Sequence, residues 1–256
     1  DATQMARQDV EFATSLVEIR HLWGNPILAR KLEKSYKNRL IRGRLGTFID
    51  LCTQARLAEF QPHGWSAQQL EPDVKNSPGG LRDLHLIRWV GYAKFGVREI
   101  DELVARSALN STDAERLHAG HEFLNRIRLN LHFAAGRAQD TLTRAEQMRL
   151  ATEWGYKGTS AQIPVEQFMQ DYFRHATGIA RIARRFTELQ RPKSLTSVCL
   201  ESVMAHRADG IFQVGQQQLN ASSAVRKRYS PTLEDILKIF ELATLYQVRL
   251  SPTLEE

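Results

Sequence analysis

The chain has 256 residues, of which 42% are hydrophobic and 25% charged, so a folded core is expected and wholesale disorder is excluded. A formal net charge of +6 suits an anionic ligand, but the excess is too modest to establish nucleic-acid binding. Cys52 and Cys199 lie far apart and form no C-x-x-C pair, which argues against a zinc site or a disulfide framework and for a reducing, cytoplasmic setting.

The N-terminus, DATQMARQDVEF, carries no signal-peptide core, and no apolar run approaches the ~18 residues that span a bilayer. It lacks an initiator Met and starts within an amphipathic pattern, so the chain is expected to be an excised or processed piece of a longer protein. Residues 9–23 fit a helix or a strand equally, and Gly24-Asn25-Pro26 ends them. From Ile27 to about Phe60 the pattern is helical. It is basic over Lys31–Arg44, has an apolar row at Phe48, Leu51, Ala55 and Ala58, and could be interrupted at Gly43 and Gly46. A loop, QPHGWSAQQ, follows, and helical pattern resumes at Leu81 with Leu84, Ile87, Trp89, Val90, Tyr92 and Ala93 apolar on more than one face.

Thr112 and Glu115 fit a capping box ahead of Leu117, Leu124, Ile127 and Leu131; Thr143 and Glu146 fit another, running to Trp154 before Gly155. Val165 to Leu189 is the longest predicted helix, with Phe168, Met169, Tyr172, Ala176, Ile179, Ala183 and Phe186 in one stripe. Beyond Pro192 the pattern suggests short strands at Val198–Met204 and Gly210–Val214. A last helix is predicted from Ser230-Pro231, carrying Leu233, Ile236, Leu237 and Phe240. The expected fold class is α+β, predominantly α-helical with minor β content.

The stretch EPDVKNSPGGLRD, Glu71 to Asp83, combines a backbone that cannot stay helical with a charged helix start. Pro78 fixes its own φ and disfavours the α region at Ser77, and Gly79 and Gly80 allow positive φ and close approach by another group. A helix start carries unpaired N–H groups that attract anions. Arg82 adds a bidentate fork and Lys75 a second cation. Asp83 has no base at i+3 or i+4, where Leu86 and Ile87 stand, so the helix dipole or a partner elsewhere must hold it. On the pattern alone the favoured reading is a loop-to-helix turn whose Arg and Asp make structural ion pairs, since Gly-Gly before a helix is common.

This stretch resembles the E-P-x-x-K-x-x-P-G-G-L-R-D run of the bacterial PII uridylyltransferase/uridylyl-removing enzyme family, and Trp89, Phe95 and Gly96 follow as in that family. Arg128 with Leu131-His132, Asp140-x-Leu142, Gln147, Ala151, Gly155-Tyr156 and the Val165–Arg174 helix continue the likeness, and residues 14–24 resemble the piece after the family's active-site strands. The resemblance implies transfer of UMP from UTP to a tyrosine of the PII signal protein with Mg²⁺, which the family holds with a Gly-Ser turn and an Asp-x-Asp pair. This chain contains neither, nor the H-D pair of the uridylyl-removing domain. The implied organisation is the C-terminal part of a nucleotidyltransferase domain at 1–70, a helical bundle at 71–192 and a mixed segment at 193–256 leading to a hydrolase domain beyond. The implied nucleotide-binding residues are Lys75, Gly79, Gly80, Arg82 and Asp83, with the first four facing phosphates and Asp83 tying ribose, metal or a neighbouring Arg. No catalytic or metal-holding residue is assigned here, and the fragment alone is expected to be inactive.

Two alternatives remain at this stage. The glutamine synthetase adenylyltransferase family shares the P-G-G-[LI]-R-D core, and a non-catalytic helical module could bind nucleic acid or an acidic partner through its basic surface. Membrane association is not expected. Glu115, His118 and His121 share a helical face but read as solvated rather than metal-binding, His132 as a buried hydrogen-bonded histidine, and Arg181, Arg184 and Arg185 as suited to a helix C-terminus. Arg226-Lys227-Arg228 reads as solvated loop.

Overall fold

The structure, a computed structural model, describes residues 4–6, 9–41, 44–60 and 66–191, then 206–208, 212–214, 218–221, 237, 240 and 249–250. The chain is predominantly α-helical and falls into two compact units, Asp1–Arg191 and Pro192–Glu256.

In the first unit, Asp9 opens α1 (Val10–Ser15) by accepting the amides of Glu11 and Phe12 at 2.8 and 3.2 Å, and a 3₁₀ turn, Leu16–Glu18, extends it. The ambiguous segment is therefore helical where it begins. Asn25 caps α2 (Pro26–Tyr36), whose first position is the φ-locked Pro26. A π-helical turn, Lys37–Ile41, separates it from α3 (Leu45–Phe60). Gly46 sits inside α3 without breaking it.

The buried face of α3 is Phe48, Ile49, Cys52 and Arg56; of the predicted row only Phe48 is buried, Ala55 is half-buried, and Leu51, 43% exposed, and Ala58 lie outside. An arginine displaces the alanines from the interior because α3 packs on α4 (Leu81–Phe95), where two carbonyls of the preceding turn and the Asp83 carboxylate accept from it, alongside Glu59 on its own helix. Helix α4 is buried on more than one face through Leu84, Leu86, Ile87, Val90 and Tyr92, as its composition predicts, and stops at Gly96 in the left-handed region.

A short helix, α5 (Ile100–Ala105), leads to α6 (Ser111–Ala135). The cap of α6 is Asn110, whose side chain accepts the Asp113 amide at 2.7 Å, so the predicted Thr112/Glu115 box already lies in the first turn. Thr143 does cap α7 (Arg144–Glu153), taking the Glu146 amide at 3.4 Å. At the head of α8 (Pro164–Gln190), Glu166 reaches back to the Ile163 amide at 3.0 Å. All seven residues of the predicted α8 stripe are buried. Helix α8 packs against α4, α6 and α7 and is the axis of this unit. Phe168 meets the rings of Trp154 and Tyr156 edge-on, both at 5.7 Å. Burying a side chain of this size contributes about 1.5–3 kcal/mol.

In the second unit, β1 (His206–Ala208), β2 (Phe212–Val214), β3 (Gln218–Ala221) and β4 (Arg249–Leu250) lie side by side in that order. The first three pair antiparallel, with His206 opposite Val214 and Phe212 opposite Ala221; β3 and β4 run parallel. Val198–Met204 and Arg226-Lys227-Arg228 lie outside the described residues, as does most of the predicted last helix, of which Leu237 and Phe240 are helical and exposed. Among the described residues no helix is long and apolar enough to cross a membrane.

Candidate functional site

The Glu71–Asp83 turn is built from its own backbone. The Asp73 carboxylate accepts the amides of Lys75 and Asn76 at 2.9 and 2.7 Å, as Asx turns do, and the Asp73 amide donates to Ser77 Oγ at 2.9 Å. Ser77 Oγ in turn donates to Gln69 at 2.9 Å. The amides that open α4 are used within the turn: Leu81 donates to the Val74 carbonyl at 3.1 Å, Arg82 to Lys75 at 3.0 Å and Asp83 to Gly80 at 3.0 Å. The amide of Gly80 donates to Ser77 at 2.8 Å and that of Gly79 to the Asp83 carboxylate at 2.6 Å.

The two glycines serve close approach, and the approaching group is the protein itself. Gly79 has φ +79°, and a Cβ there would lie 2.0 Å from the carbonyl oxygen of Ala176 on α8. At Gly80 it would lie 2.7 Å from the Lys75 carbonyl. Only glycine lets the turn seat on α8 at this distance.

Arg56 joins the turn to α3. It is 3% exposed; its Nε donates to Asp83 at 2.6 Å, and its terminal nitrogens reach the carbonyls of Asn76 and Ser77 and the Glu59 carboxylate at 2.8–2.9 Å. The Phe60 ring lies 4.3 Å from the guanidinium. Burial pushes the Asp83 carboxyl up, while the Arg56 charge and hydrogen bond and the Gly79 amide oppose that rise. Both Asp83 oxygens face donors, so the ionised form is the one this pocket holds.

Of the residues expected to bind nucleotide, Gly79, Gly80 and Asp83 are therefore interior, and Asp83 meets a neighbouring Arg, one of the three partners left open for it. Lys75 and Arg82 are part-exposed. Arg82 pairs with Glu59 at 3.0 Å and lies over the Trp89 ring at 5.5 Å. One turn along α4 from Arg82, His85 is held well below its usual range, at about 4, by burial and then by the charges of Arg82 and Arg88. The buried Cys52 thiol is pushed up to about 12 by burial, which disarms it as a nucleophile.

The rim of the turn is braced from α6 and α7. Val74 donates to the Asp140 carbonyl and Leu142 to the Pro72 carbonyl, both at 2.8 Å, around a bridge between Asp73 and Thr141. Asp140 is fixed by Arg128 at 2.7 Å and His132 at 3.0 Å. His132 is thus hydrogen-bonded as expected, but it is 29% exposed rather than buried, because it reaches out to Asp140 instead of into the core. Gln147 caps the Leu70 carbonyl at 2.8 Å, and Glu71 accepts the Arg144 amide at 2.9 Å. His118 pairs with Asp101 and His121 with Asn125, and Arg185 holds the buried Asp113. Among the described residues no three His, Cys, Asp or Glu side chains gather so as to hold a metal ion.

Sequence reasoning missed Arg56. The signal was split: Asp83 visibly lacked a partner in its own helix, and Arg56 stands four and eight residues beyond the buried Cys52 and Phe48.

The GlnD PII-uridylyltransferase family model matches residues 52–187, which takes in α3 from Cys52, the turn, and α4 to nearly the end of α8. The bifunctional uridylyltransferase/uridylyl-removing enzyme of Cereibacter sphaeroides is 38% identical over 73% of this chain, that of Methylococcus capsulatus 34% over 74%, and that of Azospirillum brasilense 27% over 98%. These alignments cover 20%, 21% and 27% of the relatives' own lengths, so the chain spans about a fifth to a quarter of them. With more than half of its residues inside the family model, and with the Arg56-locked turn within that match, this chain belongs to the GlnD PII-uridylyltransferase family.

Proposed function

We propose that this chain supplies a wall of the nucleotide cleft, and the helical support behind it, in a cytoplasmic nucleotidyltransferase that moves UMP from UTP to a tyrosine of the PII signal protein. The relatives' names support the uridylyl chemistry over adenylyl transfer. The observation that carries the reading is the turn itself. It is clamped between buried Arg56 and the backbone of α8, while Lys75 and Arg82 keep part-exposed cationic side chains at its edge. In this reading Lys75 and Arg82 meet the polyphosphate, and Gly79, Gly80 and Asp83 hold the turn so that those two cations are positioned before substrate arrives.

Transfer from UTP calls for Mg²⁺ to neutralise the triphosphate. The described residues do not fit that ion, since they gather no carboxylate cluster. The reading therefore gives the ion to residues outside this chain and routes nothing through it here.

The test is Arg82→Ala in the full-length protein, with PII uridylylation followed by mass shift. Loss of a charged phosphate contact is worth about 1.5–3 kcal/mol, so the UTP KM should rise, or kcat fall, by about 10- to 100-fold. Unchanged kinetics in a variant that melts normally would remove the assignment.

A further inference from the structure

A groove of about 940 Å³ runs between α6 and α8, and no residue of the Glu71–Asp83 turn lines it. Its α8 wall, from Glu166 through Met169 and Phe173 to Arg181, is one helical face repeated over about four turns, or about 22 Å. Its α6 wall holds Arg116 and Ala119. Asp113 meets Arg185 and Gly120 meets Ile179, so the two helices run antiparallel and Arg116 lies toward the Arg181 end.

The floor contains a glycine that the chain's own packing does not explain. Glycine weakens a helix interior, so it calls for a reason. Gly91 and Gly120 have one: a Cβ would meet Leu103 at 3.0 Å or Ile179 at 2.8 Å. At Gly178, which lines the groove, a Cβ would meet nothing within 4 Å. The space a glycine leaves is kept open on the groove side, beside the apolar Ala119, Met169 and Phe173, where a second backbone can approach closely.

The rim is basic. Arg116, Arg174 and Arg181 face one carboxylate, Glu166, which already accepts the Ile163 amide at 3.0 Å. Arg116 lies 3.8 Å from Asp113 and Arg174 lies 3.0 Å from Asp171, but both arginines are more than half exposed, where such pairs are worth little. Arg181 is exposed and has no partner among the described residues. It stands more than two turns before the end of α8 at Gln190, out of range of the helix dipole, so the helix-terminus role expected for it does not apply.

We propose that this groove is a docking site for an amphipathic helix of a partner protein. The partner lays its apolar face over Gly178 and sets acidic side chains against Arg116, Arg174 and Arg181. The site is independent of the nucleotide-cleft reading.

The test uses the full-length protein and a fluorescent synthetic peptide about four turns long, with leucines along one helical face and glutamates beside them. A counterpart carries lysine for each glutamate. The parent should bind the glutamate peptide at least about tenfold more tightly than the lysine peptide. Gly178→Leu fills the groove from a position with open space, and should weaken the glutamate peptide by about tenfold or more while melting no lower than the parent. Arg181→Glu should lose the preference for glutamate and gain affinity for the lysine peptide. Arg82→Ala should bind the peptide as the parent does, whatever happens to its UTP kinetics. The inference is overturned if the two peptides bind equally, if Gly178→Leu binds normally, or if the parent binds neither peptide. It is also overturned if sedimentation shows a parent dimer that Gly178→Leu splits, since a second copy then fills the groove.

Discussion

Replacing Arg56 with Ala would strand its acceptors together: the Asp83 carboxylate, the carbonyls of Asn76 and Ser77, and one oxygen of Glu59. Breaking a buried ion pair by removing one partner costs about 3–5 kcal/mol, because the other charge stays buried. Arg56→Ala should lose that much in urea denaturation. Arg56→Lys should recover only part of it, since a point ammonium cannot span acceptors arranged for a fork. If Arg56→Ala loses under about 1 kcal/mol, the clamp is not what holds the turn. The sequence shows why this residue is hard to find. A lone arginine among Gln54, Ala55, Leu57 and Ala58 has the look of a solvated position, and only the later Asp83, 27 residues away, needs it.

Elements were legible where burial repeats with the helical period. The seven-residue stripe of α8 is such a case: every member is buried on a helix that packs against α4, α6 and α7, and the pattern needs no knowledge of which neighbour covers it. Caps were legible less often. Asn110 and Thr112 are both good capping types two residues apart, and the choice between them depends on where the chain leaves its extended conformation, which it does at Asn110 with ψ 159°. Asn110→Ala should therefore cost about 1 kcal/mol in thermal or urea melts and Thr112→Ala much less. The reverse order would restore the predicted box. Helix α5 escaped prediction because six residues are too few to display a period. The inward face of α3 was misjudged because pattern reading places alanine inside and arginine outside unless a buried acid is already known.

At the scale of the molecule, the turn's peculiar residues were visible from the start, but their reason was not. Glycines that leave room for a phosphate and glycines that leave room for a helix backbone look alike in sequence, and only the Ala176 carbonyl, 2.0 Å from where a Cβ on Gly79 would sit, separates them. The same interior sets how stability responds to acid. His85 is held neutral, to about 4, by burial and by Arg82 and Arg88; burial also lowers His121 and His175. An unfolded chain takes up these protons near pH 6.5, before the folded one does, so folding stability is complete above that pH and drains as pH falls toward 4. For His85 alone the loss is at most roughly 3 kcal/mol. Asp140 acts in a lower window. Burial raises its carboxyl, but the hydrogen bonds and charges of Arg128 and His132 outweigh that and bring it below the ordinary value, so its contribution persists above about pH 4 and disappears only in stronger acid. Melting temperatures of the parent and of His85→Gln, taken from pH 7.5 to pH 4, separate the two. The parent should lose stability steadily below pH 6.5 and the variant should lose less, while both should steepen together once Asp140 begins to protonate. Parallel curves across the upper window would mean that His85 accepts its proton in the folded state as readily as in water, and that the face of α4 carrying it is open to solvent.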